Sequence, residues 1–88
     1  MSDIIFKEEA WGEYVYWQKQ DKKTLKKINE IIKDIERNGN RGIGKAEKLK
    51  GNLSEYWSRR IDEKNRIIYT IIDGKVNIFS CLGHYDDK

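Results

Sequence analysis

The sequence predicts an α+β domain in which an N-terminal strand and two helices pack on a small antiparallel β-sheet. Two sequence patterns and the length of the chain lead to this class. Apolar residues recur at helical spacing through the first half of the chain, and short runs of β-branched and aromatic residues separated by turns fill the second half. The length of 88 residues suits one domain, spanning 1–88. Helices followed by consecutive strands favour a layer of helices on one face of a sheet.

The first half of the chain predicts one strand and two helices. The apolar run at 4–6 suits a short buried strand, and residues 8–20 form a helical pattern. Its apolar face comprises Ala10, Trp11, Tyr14, Val15 and Trp17. Asp21 is the expected N-cap of the second helix, and Gly39 is expected to end it in a left-handed conformation. The apolar face of this second helix comprises Leu25, Ile28, Ile31, Ile32 and Ile35.

A glycine-rich segment at 39–45 separates the helices from the strands. A nucleotide-binding P-loop requires a preceding strand and a Ser or Thr directly after its lysine, whereas here a helix precedes and Ala46 follows. We therefore expect a mobile basic loop. Strands are predicted at about 46–50, 55–61, 66–73 and 76–83. The dipeptide Asp73-Gly74 predicts the last tight turn.

Composition argues against several classes of protein. No apolar run is long enough to span a membrane and the N-terminus has no secretion signal, so a cytoplasmic location is expected. Cys81 is the one cysteine and is expected to be a buried thiol. With His84 it supplies at most half of a zinc site, so neither a metal nor another cofactor is predicted.

Positive charge is concentrated in one part of the chain. Residues 37–66 contain nine basic and four acidic side chains, whereas the whole chain has a net charge of +3. This distribution is typical of a surface that binds phosphates. Arg59 and Arg60 must point to opposite faces of their strand, and the register of the turn at 62–65 decides which of them reaches a site.

This basic segment also contains groups suited to metal-free RNA cleavage. That reaction needs a base for the 2′-hydroxyl, an acid for the departing 5′-oxygen and cations for the charge on phosphorus. His84 is the one histidine, so if it transfers one proton the other falls to a carboxylate or a tyrosine. Glu47 is the acidic residue that lies among the lysines.

Each of these residues also has a purely structural interpretation. A single histidine near a C-terminus and an exposed glutamate are common surface residues, and Arg66 could pair with Asp62 or Glu63 across the turn. Trp57 and Tyr69 are more consistent with core residues than with platforms for base stacking.

Several motifs together resemble the YoeB (Txe) family of toxins within the RelE/ParE superfamily. The matching segments are Lys45 to Gly51, Leu53-Ser54, Trp57 to Ile61, Arg66, Tyr69 and His84-Tyr85, with Trp11, Tyr14, Trp17-Gln18 and Lys26 to Asn29 in the helices. The resemblance implies a ribosome-dependent mRNA endonuclease that cuts message in the ribosomal A site.

The resemblance also implies roles for individual residues. Glu47 matches the general base, His84 the general acid and Arg66 the arginine that stabilises charge in the transition state. Tyr85 joins them in the expected catalytic set. Lys50 and Arg60 match residues that support substrate placement, and Lys45 and Arg59 of the basic segment are also expected to contact RNA.

The same resemblance predicts partners and leaves two other functions open. A YefM-like antitoxin with an acidic, initially disordered segment is expected to neutralise the chain, and a homodimer is possible. One alternative function is gyrase poisoning by a toxin of the same fold. The other is a non-catalytic RNA- or ribosome-binding module, for which a basic hairpin is sufficient.

Overall fold

The computed structural model describes residues 3–51 and 55–83, which form a five-stranded sheet with two helices. The elements are β1 (Ile4–Phe6), α1 (Glu8–Gln20), α2 (Lys22–Asn38), β2 (Glu47–Lys48), β3 (Trp57–Arg60), β4 (Arg66–Ile72) and β5 (Lys75–Ser80). Their order across the sheet is β1-β5-β4-β3-β2. The predicted α+β class and the predicted bounds of both helices are confirmed.

The first strand differs from its prediction in burial and direction. β2 to β5 form an antiparallel meander, but β1 pairs with β5 in parallel. Because β1 lies at an edge of the sheet, Ile4 and Ile5 remain 37% and 38% exposed. The expectation of a buried strand was therefore wrong, and Phe6 is the residue of β1 that packs against the core.

Helix α1 packs on the sheet through a narrower apolar stripe than its sequence predicts. Ala10 and Trp17 are buried, whereas Trp11 is 53% exposed. Trp11 instead belongs to a cluster at the rim of the core, where it stacks on Tyr14 and meets the ring of Phe6 edge-on. The buried end of α1 is tied to the chain after β5, because Trp17 Nε1 donates to the carbonyl of Cys81 at 2.8 Å.

Helix α2 begins and ends as its sequence predicts. Asp21 Oδ1 accepts hydrogen bonds from the amides of Lys23 and Thr24, which satisfies two of the free N–H groups at the helix start. Gly39 ends the helix with a φ of +65°, which a residue with a side chain rarely adopts. Within the described residues, neither helix combines the length and apolar content required to cross a bilayer.

One core fills the space between the helices and the sheet. Its buried residues include Ile28, Ile31, Ile32, Ile35, Ile67, Tyr69, Val76, Ile78 and Cys81. The predicted buried thiol at Cys81 is confirmed, and so is the core position of Tyr69. Trp57 is half-buried and packs against the same cluster.

The loop at 39–45 is anchored to the sheet instead of being free. Arg59 of β3 is fully buried and forms an ion pair with Asp34 of α2 at 2.6 Å. Its guanidinium also donates to the carbonyls of Gly39, Arg41 and Ile43 at 2.6–2.8 Å. These bonds hold the loop around the arginine, so the prediction of a mobile loop was wrong.

The ion pair controls the protonation of its acidic member. Burial opposes ionisation of Asp34, but hydrogen bonds from Arg59, Asn38 and the Ile43 amide outweigh it and lower the pKa of Asp34. A carboxyl whose pKa is lowered by folding adds stability above its unfolded pKa, and the protein loses that stability as the pH falls through the folded value.

The substitution Asp34→Asn should lower the free energy of unfolding at neutral pH by about 3 kcal/mol, because it leaves a buried guanidinium without its counterion. Asp73→Asn is the matched control, since Asp73 is exposed in the β4–β5 turn and should change stability by less than about 0.5 kcal/mol. Urea unfolding at several pH values measures both. The difference between wild type and Asp34→Asn should narrow below about pH 4, and a constant difference would contradict this account.

Candidate active site

The candidate site occupies the face of the sheet opposite the helices. Glu47 of β2 pairs with Ser58 of β3, and Arg60 of β3 pairs with Arg66 of β4. Directly paired residues share a face, and alternate residues of a strand share it too. Glu47, Arg60 and Arg66 therefore lie on one face, whereas Arg59 lies on the other.

The spacing of these three side chains suits one small anionic ligand. Paired residues of adjacent antiparallel strands have Cβ atoms about 5 Å apart, and diagonal neighbours about 7–8 Å. Arg60 is the direct neighbour of Arg66 and the diagonal neighbour of Glu47. The backbone positions of Glu47 and Arg66 thus flank that of Arg60 on one face, at spacings that a phosphodiester bound by long side chains could bridge.

Glu47 has an accessible carboxylate. It is exposed, and within the part of the chain that the structure describes its side chain forms neither a hydrogen bond nor an ion pair. Lys45 and Lys50 are exposed on either side of β2. The carboxylate is therefore available to accept a proton from a ligand held by the surrounding positive charge.

Arg66 is held by the turn that precedes it. Its Nη1 donates to the carbonyl of Asn65 at 3.0 Å and also to the carbonyl of Asp62. The alternative suggested by the sequence, a carboxylate partner across the turn, is replaced by these backbone contacts. Among the described residues, Nη2 and Nε of Arg66 form no hydrogen bond, so this edge of the guanidinium can bind an anion.

The turn itself is organised around Asp62. Its Oδ1 accepts from the amides of Lys64 and Asn65, and the Asn65 side chain donates to both carboxylate oxygens. Burial opposes ionisation of Asp62, but these hydrogen bonds and the nearby Arg66 outweigh it and lower the pKa of Asp62. The turn that supports Arg66 is thus held by an ionised carboxylate.

The chain that leads towards His84 is fixed against Arg66. The amide of Gly83 donates to Asn65 Oδ1 at 2.8 Å, and the carbonyl of Gly83 accepts from the Arg66 amide at 2.9 Å. Two residues earlier, the amide of Cys81 donates to Glu13 Oε1 at 2.8 Å. The last described residue is therefore joined to the strand that bears Arg66.

Sequence analysis missed Glu13 and Asn65 as structural supports of this segment. Glu13 lies on the same face of α1 as Ala10 and Trp17, so a carboxylate in a buried stripe was the available signal. Asn65 reaches a residue 18 positions away, and no local pattern indicates such a contact.

The structure describes six of the eight predicted catalytic and RNA-binding residues, and except for Arg59 their roles stay predictions. His84 and Tyr85 lie outside the described residues, so their roles stay predictions. Arg59 was predicted to contact RNA, and this was wrong because its side chain is fully buried and paired with Asp34. Arg60 is the exposed member of the pair, and its contact with RNA stays a prediction.

No metal site is evident at the described part of this face. Among residues 3–51 and 55–83, no three or more His, Cys, Asp or Glu side chains are grouped so that they could hold a metal ion. The chemistry available from the described side chains is proton transfer by a carboxylate and charge stabilisation by arginine.

Comparisons with known proteins agree in sequence and in structure. A family model described as YoeB-like toxin of bacterial type II toxin-antitoxin system matches residues 6–85. Toxin YoeB of Escherichia coli K12 is 50% identical over 82 residues, which are 93% of this chain and 98% of that protein.

Two solved structures from Staphylococcus aureus superimpose closely on this chain. One is a heterotetrameric YoeB–YefM toxin–antitoxin complex, with a TM-score of 0.89, 50% identity and coverage of 97% of this chain and 99% of that one. The other is a YoeB dimer, also with a TM-score of 0.89 and 50% identity, covering 96% of this chain and 98% of that one.

The substitutions Arg59→Met and Arg60→Met should separate stability from anion binding. Arg59→Met leaves Asp34 and three carbonyls without their donor, and should lower the free energy of unfolding by about 3 kcal/mol or more. Arg60→Met should change stability by less than about 0.5 kcal/mol, because the side chain is exposed. Urea unfolding and titration with a single-stranded RNA oligonucleotide measure the two effects, and weaker RNA binding is expected for Arg60→Met.

Proposed function

Since the chain belongs to the YoeB family of toxins of bacterial type II toxin–antitoxin systems, we propose that it is an mRNA endonuclease that acts on the ribosome. It cuts message in the ribosomal A site, in the cytoplasm, and so stops translation. The observation that best supports this proposal is the arrangement of Glu47, Arg60 and Arg66 on one face of the sheet, with Glu47 and Arg60 exposed.

Glu47 is the proposed general base. Its carboxylate takes the proton of a 2′-hydroxyl, and the resulting 2′-oxygen attacks phosphorus as the bond to the 5′-oxygen breaks. His84 is the proposed general acid and gives its proton to the departing 5′-oxygen. The products are a 2′,3′-cyclic phosphate and a 5′-hydroxyl, and no metal takes part in the proposed reaction.

Arginine supplies the positive charge in this scheme. The free edge of Arg66 faces the negative charge that develops on the non-bridging oxygens, and Arg60 binds the phosphate beside it. Lys45 and Lys50 contact the RNA backbone on either side of Glu47, and Tyr85 helps to place the substrate. Phosphate contacts of this kind fix the position of a nucleic acid without reading its sequence.

The open character of the site supports a requirement for the ribosome. Glu47 and Arg60 are both exposed, so water screens their interactions with a bound phosphate. Positioned charges stabilise a transition state far better where water is excluded. Ribosomal RNA packed over this face would exclude water and hold the message in place.

An acidic antitoxin segment is the partner that this surface fits. The solved relative from S. aureus is a complex of YoeB with YefM, and residues 37–66 of this chain carry an excess of positive charge. We infer that a YefM-like antitoxin folds on the basic face and covers Glu47 and Arg60. The YoeB dimer among the relatives suggests that this chain also pairs with a second copy.

The substitutions Glu47→Ala and His84→Gln should each lower the rate of A-site cleavage by about 10²- to 10⁴-fold, because each removes one proton-transfer group. Growth arrest on expression should be lost in parallel. The measurement is cleavage of a translated message under single-turnover conditions, together with the dissociation constant for 70S ribosomes.

Glu30→Gln is the control for this pair, since Glu30 is an exposed residue of α2 and its substitution should leave the rate unchanged. Ribosome affinity should stay within about threefold for all three variants, a difference below 1 kcal/mol. If cleavage and ribosome binding fell together by the same factor, a non-catalytic binding module would be the better interpretation.

Replacing the 2′-hydroxyl by hydrogen at the cut nucleotide should abolish cleavage at that position, because the proposed nucleophile is absent. The wild-type products should carry a 2′,3′-cyclic phosphate, which mass spectrometry of the 5′ fragment detects. A deoxy substitution one nucleotide upstream serves as the control. Continued cutting at the deoxy nucleotide would exclude attack by the 2′-oxygen.

A further inference from the structure

Glu47 lies in the shortest strand described in the sheet. β2 consists of Glu47 and Lys48 alone, so its few hydrogen bonds to β3 cannot by themselves fix a catalytic side chain. We propose that Arg59 is a positioning residue for Glu47 and acts through the loop at 39–45. This inference rests on the proposed function, in which Glu47 is the general base.

Arg59 uses every donor of its guanidinium group. Nη1 donates to Asp34 Oδ2 at 2.6 Å and to the carbonyl of Ile43 at 2.7 Å. Nη2 donates to the carbonyls of Gly39 and Arg41 at 2.6 and 2.8 Å. Nε donates to the hydroxyl of Tyr69 at 3.2 Å. Five N–H groups in a rigid plane thus meet five acceptors, a pattern that no other side chain can reproduce.

Asp34 reinforces the same loop from the helix. Its Oδ2 accepts from the amide of Ile43 at 3.2 Å. The loop also lies close against this carboxylate, because a Cβ added to Gly42 would stand 2.0 Å from Asp34 Oδ2. The ion pair therefore binds the loop twice at Ile43, because Asp34 accepts from the Ile43 amide and Arg59 donates to the Ile43 carbonyl.

The loop contacts β3 at Gly44, shortly before β2 begins. The Arg60 amide donates to the carbonyl of Gly44 at 2.6 Å. Gly44 has a φ of +81°, and a Cβ there would lie 3.0 Å from the carbonyl oxygen of Arg60. Beyond β2, the amide of Leu49 donates to the carbonyl of Tyr56 at 2.9 Å. Glu47 is thus held between two backbone contacts, one with Arg60 of β3 and one with Tyr56 just before β3, and Arg59 organises the first of them.

Loss of Arg59 is expected to act through a small displacement of Glu47. Without the five-acceptor arrangement the loop is free to move away from β3, and β2 moves with it. A displacement of about 1 Å at a reacting group can cost about 10²-fold in rate. Ribosome affinity should be spared, because the side chain of Arg59 is buried and the exposed lysines and Arg60 remain.

The variant Arg59→Lys keeps the charge but offers three donors on a flexible stem in place of five in a plane. Its single-turnover rate of A-site cleavage should fall at least 10-fold, with the dissociation constant for 70S ribosomes within about threefold of wild type. The amides of Ile43, Gly44, Glu47 and Lys48 should exchange hydrogen faster than in wild type.

Two further variants separate positioning from a general loss of stability. Gly44→Ala disturbs the contact with β3 while keeping Arg59, and it should reproduce the slower cleavage and the faster exchange. Val76→Ala lowers stability through the core at β5, which is separated from β2 by β4 and β3. This variant should keep the wild-type cleavage rate. All assays are run at a temperature where circular dichroism shows each variant folded.

A double-mutant cycle assigns the effect to Glu47. In the Glu47→Ala background, Arg59→Lys should slow cleavage by less than about twofold, because the carboxylate that Arg59 positions is already absent. Reactions are followed from seconds to a day so that the slow rates can be measured. An equal slowing in both backgrounds would overturn the inference, and so would slow cleavage by Val76→Ala.

The cleavage assays distinguish failure of the proposed function from failure of the positioning role. Full cleavage by Glu47→Ala would overturn that function and this inference with it. Loss of cleavage in Glu47→Ala together with normal cleavage in Arg59→Lys would overturn only the positioning role of Arg59.

Discussion

A guanidinium group buried in the sheet is the constraint on which the rest of the molecule depends. Removing an ion from water costs several kcal/mol even after the protein relaxes, and only a partner of opposite charge with further hydrogen bonds offsets that cost. Arg59 obtains both from Asp34, three loop carbonyls and Tyr69. Because these acceptors come from α2, the following loop and β4, one side chain fixes the relative positions of three parts of the fold.

Strand β3 places one arginine in the core and the next on the surface. Arg59 and Arg60 are adjacent and identical in type, but the alternation of a strand sends one into the core and leaves the other exposed. The helices cover the face of Arg59, and the opposite face carries Arg60 with Glu47 and Arg66. Unpaired positive charge would be costly in the core, whereas on the opposite face it is available to the phosphates of the proposed substrate.

The sequence predicted the parts of the fold that local patterns determine. The helix bounds, the Asp21 cap, the end at Gly39 and the turn at Asp73-Gly74 all follow from residues within a few positions of one another. The choice between Arg59 and Arg60 could not be predicted, since it depends on Asp34, which lies 25 residues away. The anchored loop was missed for the same reason, because glycine and positive charge suggest mobility unless the buried acceptor network is known.

β2, which bears the proposed base, and the segment that leads towards the proposed acid are far apart in sequence, and hydrogen bonds to their backbone atoms hold both of them. β2 is held through Gly44 and Leu49, whereas the segment before His84 is held through Cys81 and Gly83. Because these contacts use backbone atoms, the side chain of Glu47 takes no part in holding β2, and within the described chain its carboxylate forms neither a hydrogen bond nor an ion pair. A site built in this way can be rigid in its frame and still exposed to solvent, so the activity that we propose depends on a surface that closes over it.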